Sequence, residues 1–535
     1  MEIRQIVKAA ISYLRFLPNR WNETAPSVKK KRILILLLLL LYISPLWIFK
    51  YFHSQDGAAH VYNAYALRVF NDEDSTLLRE YFKLNLTLFP NWAAHVCMSL
   101  LMHIFPPLIA EKILLSIIIS LFPLSFFYFL DSVHKGKSLY GFLGFLFADS
   151  YVLHMGFYSF SLSVPLFFFA LGYFVKHRED MRVNRIAILY LFCILIYFCH
   201  ILSFALLILS LPLLSITSFR RRPRQIWEFL LCMLPLYFIM ANYLLSTEVG
   251  QASDRMNIRW ERLGEWKAWD YLLSAKMLMF FTSAHLIPTR IMSVLVGLLL
   301  VVTLYKKIRQ GRIFGQDSQF LLLCGVFTFF YFIMPWGIGT GSFITARIPL
   351  FIIPVLLPFL SEDFHRYVRN GIVSVIVILS IAHLAISYSY YYPLDKGMKE
   401  YTSGVHLIEK NKTVLGLSSN FRPGVKEVPS ITHQPYFHIK PFCTAIDYYC
   451  VGNNGVSLTN YEAKFDYFPL NWKTKHSGTI DYIVAWKLDM SNVMWGEDDP
   501  IHGLDYKGIA ESLDTDYELL HSTENLQVYR RRSTD

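Results

Sequence analysis

The sequence predicts a mainly α fold, a polytopic transmembrane helical bundle of about 11 spans followed by a small C-terminal α/β domain. Of its 535 residues, 54% are hydrophobic, and the mean hydropathy is +0.36. The apolar residues form continuous runs, several close to the ~20 residues that carry a helix across ~30 Å of hydrocarbon. Continuous rather than alternating runs favour helices over a barrel. From about residue 393 the apolar runs shorten to strand length.

Residues 1–32 are predicted to form a basic cytoplasmic N-terminus. Residues 29–32 are all basic, and such a cluster marks the cytoplasmic end of the span that follows, here residues 33–50. That run lacks a small-residue cleavage site, so we expect a retained helix rather than a signal peptide. The net charge of +11 is concentrated in clusters beside apolar runs, and we therefore expect no nucleic-acid partner.

A polar first external loop is predicted over residues 52–111. Its apolar segment, residues 92–105, ends at two prolines and could be a span or an interfacial helix. We favour the interfacial helix because it places the next basic pair, Lys135 and Lys137, in the cytoplasm.

Ten further spans complete the predicted membrane domain, residues 33–392. Residues 186–218 are too many for one ordinary span and few for two; two short helices that turn near His200 keep the basic cluster at 220–224 inside. With this choice every strong basic cluster between spans is cytoplasmic. The other predicted spans are residues 112–130, 139–153, 157–175, 226–245, 288–305, 320–334, 348–360 and 371–391.

An odd number of spans places residues 393–535 outside the cytoplasm. Short apolar runs separated by turn signals, such as the Asn453-Asn454-Gly455 stretch, predict a small α/β domain there. Cys443 and Cys450 could form a disulfide in an exported domain or remain reduced.

On this topology, ionisable residues from distant spans reach the same external level. Each alone has a structural explanation, since a histidine at a helix end is often interfacial and Arg347 could anchor its span at the membrane surface. Their shared level instead predicts a site. They are Asp56 and His60 after the first span, Asp149 and His154 in the third, His200 at the turn, His285 and Arg290 at the eighth, and Arg347 at the tenth.

Asp56 and His60 form the sharpest local pattern. If the segment is helical, their i, i+4 spacing places both side chains on one face, and the small residues between them leave room for a substrate. Asp56 could act as a general base, with His60 tuning it or binding an anion; Tyr62 would line the same cavity. The alternative is that Asp56 only caps the helix.

This layout resembles the GT-C superfamily of polytopic membrane glycosyltransferases. The residues that carry the resemblance are the stretch from Asp56 to Asn63, which is similar to the D-x-x-x-H-x-Y segment of bacterial members, and the Leu88-Phe89-Pro90-Asn91-Trp92 stretch, which lies where the family has a juxtamembrane helix. The stretch from Gly341 to Arg347 resembles the position of an arginine that contacts the phosphate of the lipid donor.

The resemblance implies transfer of a sugar from a polyprenyl-phosphate-linked donor to a glycan, lipid or protein acceptor outside a bacterial cytoplasmic membrane. Asp56 would deprotonate the acceptor hydroxyl, and Arg347, together with Arg290 and His60, would stabilise the phosphate leaving group. No cofactor is certain. A divalent cation is an open alternative, with Asp56 and Asp149 as candidate ligands, although Asp149 stands alone where some members have a doubled acidic signature.

Two other functions fit a protein with this many spans. A transporter or lipid flippase would carry midplane charges and broken helices arranged as repeats, and no repeat is evident here. A non-catalytic membrane scaffold would need far fewer than eleven spans and would tolerate loss of the Asp56 carboxylate.

Overall fold

The computed structural model describes residues 25–85, 87–136, 138–218, 223–246, 265–311, 313, 315, 317–337, 343–418, 439–465, 468–473, 479–487 and 504–532. Four features of the sequence prediction lie outside these residues: the N-terminus up to residue 24, Lys137, the arginines at 220–222, and Gly341 with Ser342.

Seventeen helices precede the C-terminal domain in the described part of the chain. They are α1 Ala25–Ile48, α2 Gly57–Val69, α3 Thr76–Tyr81, α4 Ala93–Leu101, α5 Pro107–Val133, α6 Leu143–Ala148, α7 Tyr151–His154, α8 Tyr158–His177, α9 Val183–Cys199, α10 Ile201–Ser218, α11 Pro223–Ser246, α12 Glu265–Leu273, α13 Leu286–Arg309, α14 Ser318–Ile333, α15 Ile344–Arg347, α16 Pro349–Leu356 and α17 Arg366–Tyr401.

By length and composition, six of these helical segments can cross a membrane, and four shorter apolar ones accompany them. The helix α4 within the predicted interfacial segment has nine residues, about 13.5 Å at 1.5 Å per residue, which is too short to cross a bilayer. The predicted turn near His200 is present, because His200 has extended backbone angles between α9 and α10.

The third predicted span, residues 139–153, is not one helix, and here the sequence prediction was wrong. A 3-10 turn over Leu139–Phe142 leads into α6, and the chain breaks at Asp149 before the single turn of α7. Asp149 leaves the helical region, with φ −107° and ψ 83°. Its carboxylate is held by polar side chains of other helices, and these contacts replace the continuous helix that hydropathy favours.

The C-terminal domain contains a five-stranded mixed sheet. Its strands in spatial order are β3 Val456–Ser457, β2 Thr413–Ser418, β5 Tyr482–Trp486, β7 Leu526–Arg531 and β6 Tyr517–Ser522. β2 runs parallel to β3 and β5, whereas β7 is antiparallel to β5 and β6. Two short helices, α18 Tyr506–Glu511 and α19 Leu513–Asp516, precede β6. Cys443 and Cys450 have free thiols.

The first loop is bound to this domain by a second, two-stranded sheet. Strand β1, Phe82–Leu84, pairs antiparallel with β4, Leu470–Trp472. The helix α17 also continues without a break past the predicted junction at residue 392 and reaches the domain at Tyr401.

Side chains of α2 reinforce the same junction. The amides of Asn63 and Asn460 donate to each other at 3.1 and 2.9 Å, and the Tyr62 hydroxyl donates to the Gly455 carbonyl at 2.9 Å. Because these groups are buried and satisfied, they hold α2 in one orientation against the domain.

Candidate functional site

Asp56 lies at the N-cap position of α2 but does not cap it. Its side chain makes no capping hydrogen bond, and the residue is 9% exposed. Tyr461 and Gln55 instead hydrogen-bond to the carboxyl. Burial raises the pKa of Asp56 to about 7, although the nearby His60 opposes that shift. A carboxyl group with a pKa near 7 can exchange a proton at neutral pH.

A glycine makes this position possible. The amide of Asp56 donates to the Met155 carbonyl at 3.2 Å, and that of Gln55 to the His154 carbonyl at 2.8 Å. Gly156, which follows Met155, has φ +92°, and a Cβ there would lie 2.8 Å from the Cβ of Asp56. Only glycine permits both the backbone angle and the close approach.

His60 lies one turn after Asp56 on α2, and its ring points to a buried cluster with His95 of α4 and Glu462 of the C-terminal domain. Nδ1 of His60 is 2.5 Å from Oε1 of Glu462 and 3.2 Å from Nε2 of His95. Nε2 of His95 is 2.9 Å from Oε2 of Glu462. The three side chains come from three segments that are far apart in sequence.

The electrostatics of this cluster favour a carboxylate between two imidazoles. Burial alone raises the pKa of Glu462, but the adjacent His60 and His95 outweigh it and lower the pKa to about 2. Burial alone lowers the pKa of His60, whereas Glu462 raises it above its usual value. Asp447, close to both, has a pKa that burial raises to about 7.

A further carboxyl group, Glu111 at the start of α5, extends the polar network. The Tyr158 hydroxyl donates to Glu111 Oε1 at 2.7 Å and is 2.8 Å from Oγ of Ser54. A Cβ on Gly57 would lie 2.4 Å from the same hydroxyl. The first turn of α2 therefore packs directly on the Tyr158–Glu111 pair.

Asp149 and His154 belong to a second cluster, inside the helical bundle. Nε2 of His154 is 2.8 Å from Oδ1 of Asp149, and Nδ1 is 3.0 Å from the His53 carbonyl. Ser387 of α17 donates to Oδ2 of Asp149 at 2.8 Å, and Nε2 of His285 lies 3.3 Å from the Ser387 hydroxyl. His285 is thus in the second cluster, and not beside Asp56.

Arg347 lies at the end of α15, against the turn between α9 and α10. Its guanidinium donates to Nε2 of His200 at 3.2 Å and lies 4.3 Å from the centre of the Phe157 ring. The Asp56 amide donates to the carbonyl of Met155, two residues before Phe157. The predicted base and the predicted anion-binding arginine therefore lie against the same short segment between α7 and α8.

Arg290 lies near the start of α13 and is more exposed. It contacts Asp270 at 4.0 Å and donates to the Ser274 hydroxyl at 3.2 Å. Both arginines lie beside α12. Arg290 contacts Asp270 of that helix, and Tyr271 of the same helix donates to the carbonyl of Ala346, the residue before Arg347, at 3.3 Å.

Most of the predicted site residues fall into two separate groups in the structure. Asp56, His60, Arg347 and His200 lie around α2, α7 and α15, whereas Asp149, His154 and His285 form the second cluster. Tyr62 is fully buried against the C-terminal domain. Among the described residues, the group with the spacing of metal ligands is His60, His95 and Glu462. Asp56 and Asp149, the two predicted candidate ligands of a divalent cation, are not in this group. Asp56 contacts Tyr461 and Gln55, whereas Asp149 contacts His154 and Ser387.

Sequence reasoning missed His95, Glu111, Tyr461 and Glu462. His95 and Glu111 are ionisable residues in or beside apolar segments, and that signal could have identified them. Glu462 and Tyr461 lie in a polar domain about 400 residues after Asp56, so no local pattern connects them to the site.

No protein-family model and no curated protein match the sequence. Among solved structures, the chain resembles ArnT from Cupriavidus metallidurans in the apo state, with a TM-score of 0.51 and 10% identity over 94% of this chain and 98% of that one. The arabinofuranosyltransferase AftD from Mycobacteria has a TM-score of 0.47 at 11% identity, over 94% of this chain and 40% of AftD. The chain therefore spans less than half of the length of AftD. The likeness to ArnT shows that the two chains share a fold, which agrees with the predicted mainly α architecture.

Proposed function

We propose that this protein, which has the fold of ArnT, is an integral membrane glycosyltransferase. It transfers a sugar from a polyprenyl-phosphate-linked donor to a hydroxyl of a glycan, lipid or protein on the extracytoplasmic side of a bacterial cytoplasmic membrane. The observation that carries the proposal is the buried Asp56, which is hydrogen-bonded to Met155 on the same short segment whose Phe157 ring contacts Arg347. A base and a cation around one substrate space are what glycosyl transfer to a hydroxyl requires.

Asp56 is the general base in this mechanism. It takes the proton of the acceptor hydroxyl as that oxygen attacks the anomeric carbon of the sugar. The bond between the anomeric carbon and the phosphate oxygen breaks, and its electron pair leaves with the polyprenyl phosphate. The pKa of about 7 supports this role, because a base near the working pH is both ionised and strong enough to accept the proton.

Arg347 binds the donor phosphate and stabilises the charge that develops on it. Its guanidinium is half-buried against Phe157 and His200, and such a partly dry setting strengthens its attraction for an anion. Arg290 on the other side of α12 is 57% exposed at its side chain and contacts Asp270, so we assign it a weaker role in holding the same phosphate.

The decisive experiment is sugar transfer in membranes, with labelled polyprenyl-phosphate donors and the full-length protein. We expect Asp56→Asn to reduce transfer by roughly 10²-fold or more, because the amide cannot accept the proton. The matched control is Asp74→Asn, an exposed acidic residue of the same loop, which should retain wild-type activity.

Equal activity of wild type and Asp56→Asn would contradict the proposed base. A wild-type protein that moves the lipid-linked sugar across vesicles without forming any glycosylated product would instead identify a flippase.

A further inference from the structure

The geometry points to a metal site at His60, His95 and Glu462 that holds one transition-metal dication of the Zn²⁺ class between the first loop and the C-terminal domain. This site is separate from the proposed sugar transfer, and it does not depend on that reaction.

The positions of the three ligand atoms agree with one small cation. With bonds of about 2.0–2.1 Å at tetrahedral angles, two ligand atoms lie roughly 3.3 Å apart. The nitrogens of His60 and His95 are 3.2 Å apart. The carboxylate contacts of 2.5 and 2.9 Å are shorter, so metal entry needs the Glu462 carboxylate to move back by roughly half an ångström.

A hydrogen-bond network alone explains only part of the cluster. Nε2 of His95 has hydrogen-bond geometry to Oε2 of Glu462 at 2.9 Å. Nδ1 of His60 lies 2.5 Å from Oε1 and can donate to it. If both nitrogens donate to the carboxylate, neither can accept from the other, although they lie only 3.2 Å apart. Glu462 is 0% exposed, and a cation between the three ligand atoms would satisfy all of them.

The types of donor atom select the class of metal. Two imidazoles and one carboxylate are typical ligands of Zn²⁺ and similar transition metals, whereas Mg²⁺ and Ca²⁺ prefer oxygen ligands. Three protein ligands also leave a fourth position for water or a substrate oxygen.

Such a metal would join three separate segments. It connects α2, which begins directly after Asp56, with α4 and with the turn at residues 462–464 of the C-terminal domain. Because the unfolded chain does not hold these ligands together, metal binding would stabilise the folded arrangement. The ion would thereby fix the position of α2 relative to the domain.

The test is the metal content of the full-length protein, purified in detergent from zinc-replete cells. We expect about one tightly held zinc per chain, and a loss of most of it in Glu462→Gln and in His95→Asn. The matched control is His103→Asn, which changes an exposed histidine that follows α4 and should retain the metal.

A second measurement on wild-type protein covers the case in which the variants do not fold. Removal of metal with a strong chelator should lower the melting temperature by roughly 5 °C, and Zn²⁺ but not Mg²⁺ should restore it. Co²⁺ added to the stripped protein should give the visible absorption of a tetrahedral site. A wild-type protein without stoichiometric zinc that also fails to bind Co²⁺ would overturn the proposal, and so would undiminished zinc in both ligand variants. Sugar transfer is not measured in either experiment, so its presence or absence does not affect the result.

Discussion

The position of Asp56 depends on the turn between α7 and α8. Gly156 adopts φ +92° directly beneath Asp56, and its neighbour Met155 accepts the hydrogen bond from the Asp56 amide. The side chain of Asp56 does not cap α2, so within the described residues its backbone is held from the α7–α8 side by this turn, while Tyr461 and Gln55 hold its carboxyl. The backbone turn at Gly156 is therefore as important for the proposed base as its own side chain.

We expect Gly156→Ala to lower sugar transfer by roughly 10–100-fold, because a misplacement of about 1 Å in a reacting group can cost as much as 10²-fold. The new methyl group would lie 2.8 Å from the Asp56 Cβ, and alanine at this φ is strained by about 1–3 kcal/mol. The measurement is transfer activity at equal protein levels. Gly325→Ala is the control, since no atom lies within 4 Å of its Cβ position. Unchanged activity of Gly156→Ala would mean that the turn does not position Asp56.

Among the secondary-structure elements, the three-residue strand β1 joins the first loop to the C-terminal domain although it is short. It is a backbone hydrogen-bonded link between the first loop and the C-terminal domain, through β4, beside the side-chain contacts made by α2. Its first residue, Phe82, is 0% exposed, and its ring lies 4.4 Å from that of Trp472. Loss of this packing should loosen the domain that supplies Glu462 and Tyr461.

We expect Phe82→Ala to destabilise the loop–domain junction by about 3–5 kcal/mol, the usual cost of removing a buried phenylalanine. Thermal unfolding monitored by tryptophan fluorescence, together with limited proteolysis, would measure it. Leu88→Ala removes a side chain of the same loop that is 72% exposed and should unfold like wild type. Identical melting and cleavage of Phe82→Ala and wild type would show that the β1–β4 pair does not hold the domain in place.

Across the whole molecule, contacts join α2 to the C-terminal domain and the C-terminal end of α1 to that of α17. These four parts must therefore share one side of the membrane. The contacts from Asn63 to Asn460 and from the Lys50 amide to the Asp395 carboxylate hold these parts together. The charge pattern of the sequence predicts that this side is the external one.

Reporter fusions test this orientation. A phosphatase that is active only outside the cytoplasm should be active when fused after residue 532 and inactive when fused in the basic loop at residues 178–182, because the predicted eleven spans place these points on opposite sides. A cytoplasmic reporter at the same two points should give the reverse pattern. The same result at both points would contradict the span count.

Part of the site could be predicted because it is local. Asp56 and His60 are one helical turn apart, so their proximity follows from the helix alone. The turn near His200 could be predicted because the apolar run at residues 186–218 is too long for one ordinary span. The break at Asp149 could not be predicted from local patterns, because one of the side chains that binds its carboxylate, Ser387, lies 238 residues later.

Local patterns along the chain were enough to predict the membrane class, the approximate positions of the helices and the choice of Asp56 as the leading candidate. These properties are local: hydropathy, helical spacing and charge beside a span can be read along the chain. The folded arrangement was needed to show that His60 faces His95 and Glu462, and that Asp149 and His285 belong to a separate cluster. It was also needed to show that Tyr62 lies at the interface with the C-terminal domain. Such contacts join segments up to about 400 residues apart. They are set by how the helices and the domain pack together, and no local pattern in the chain records that packing.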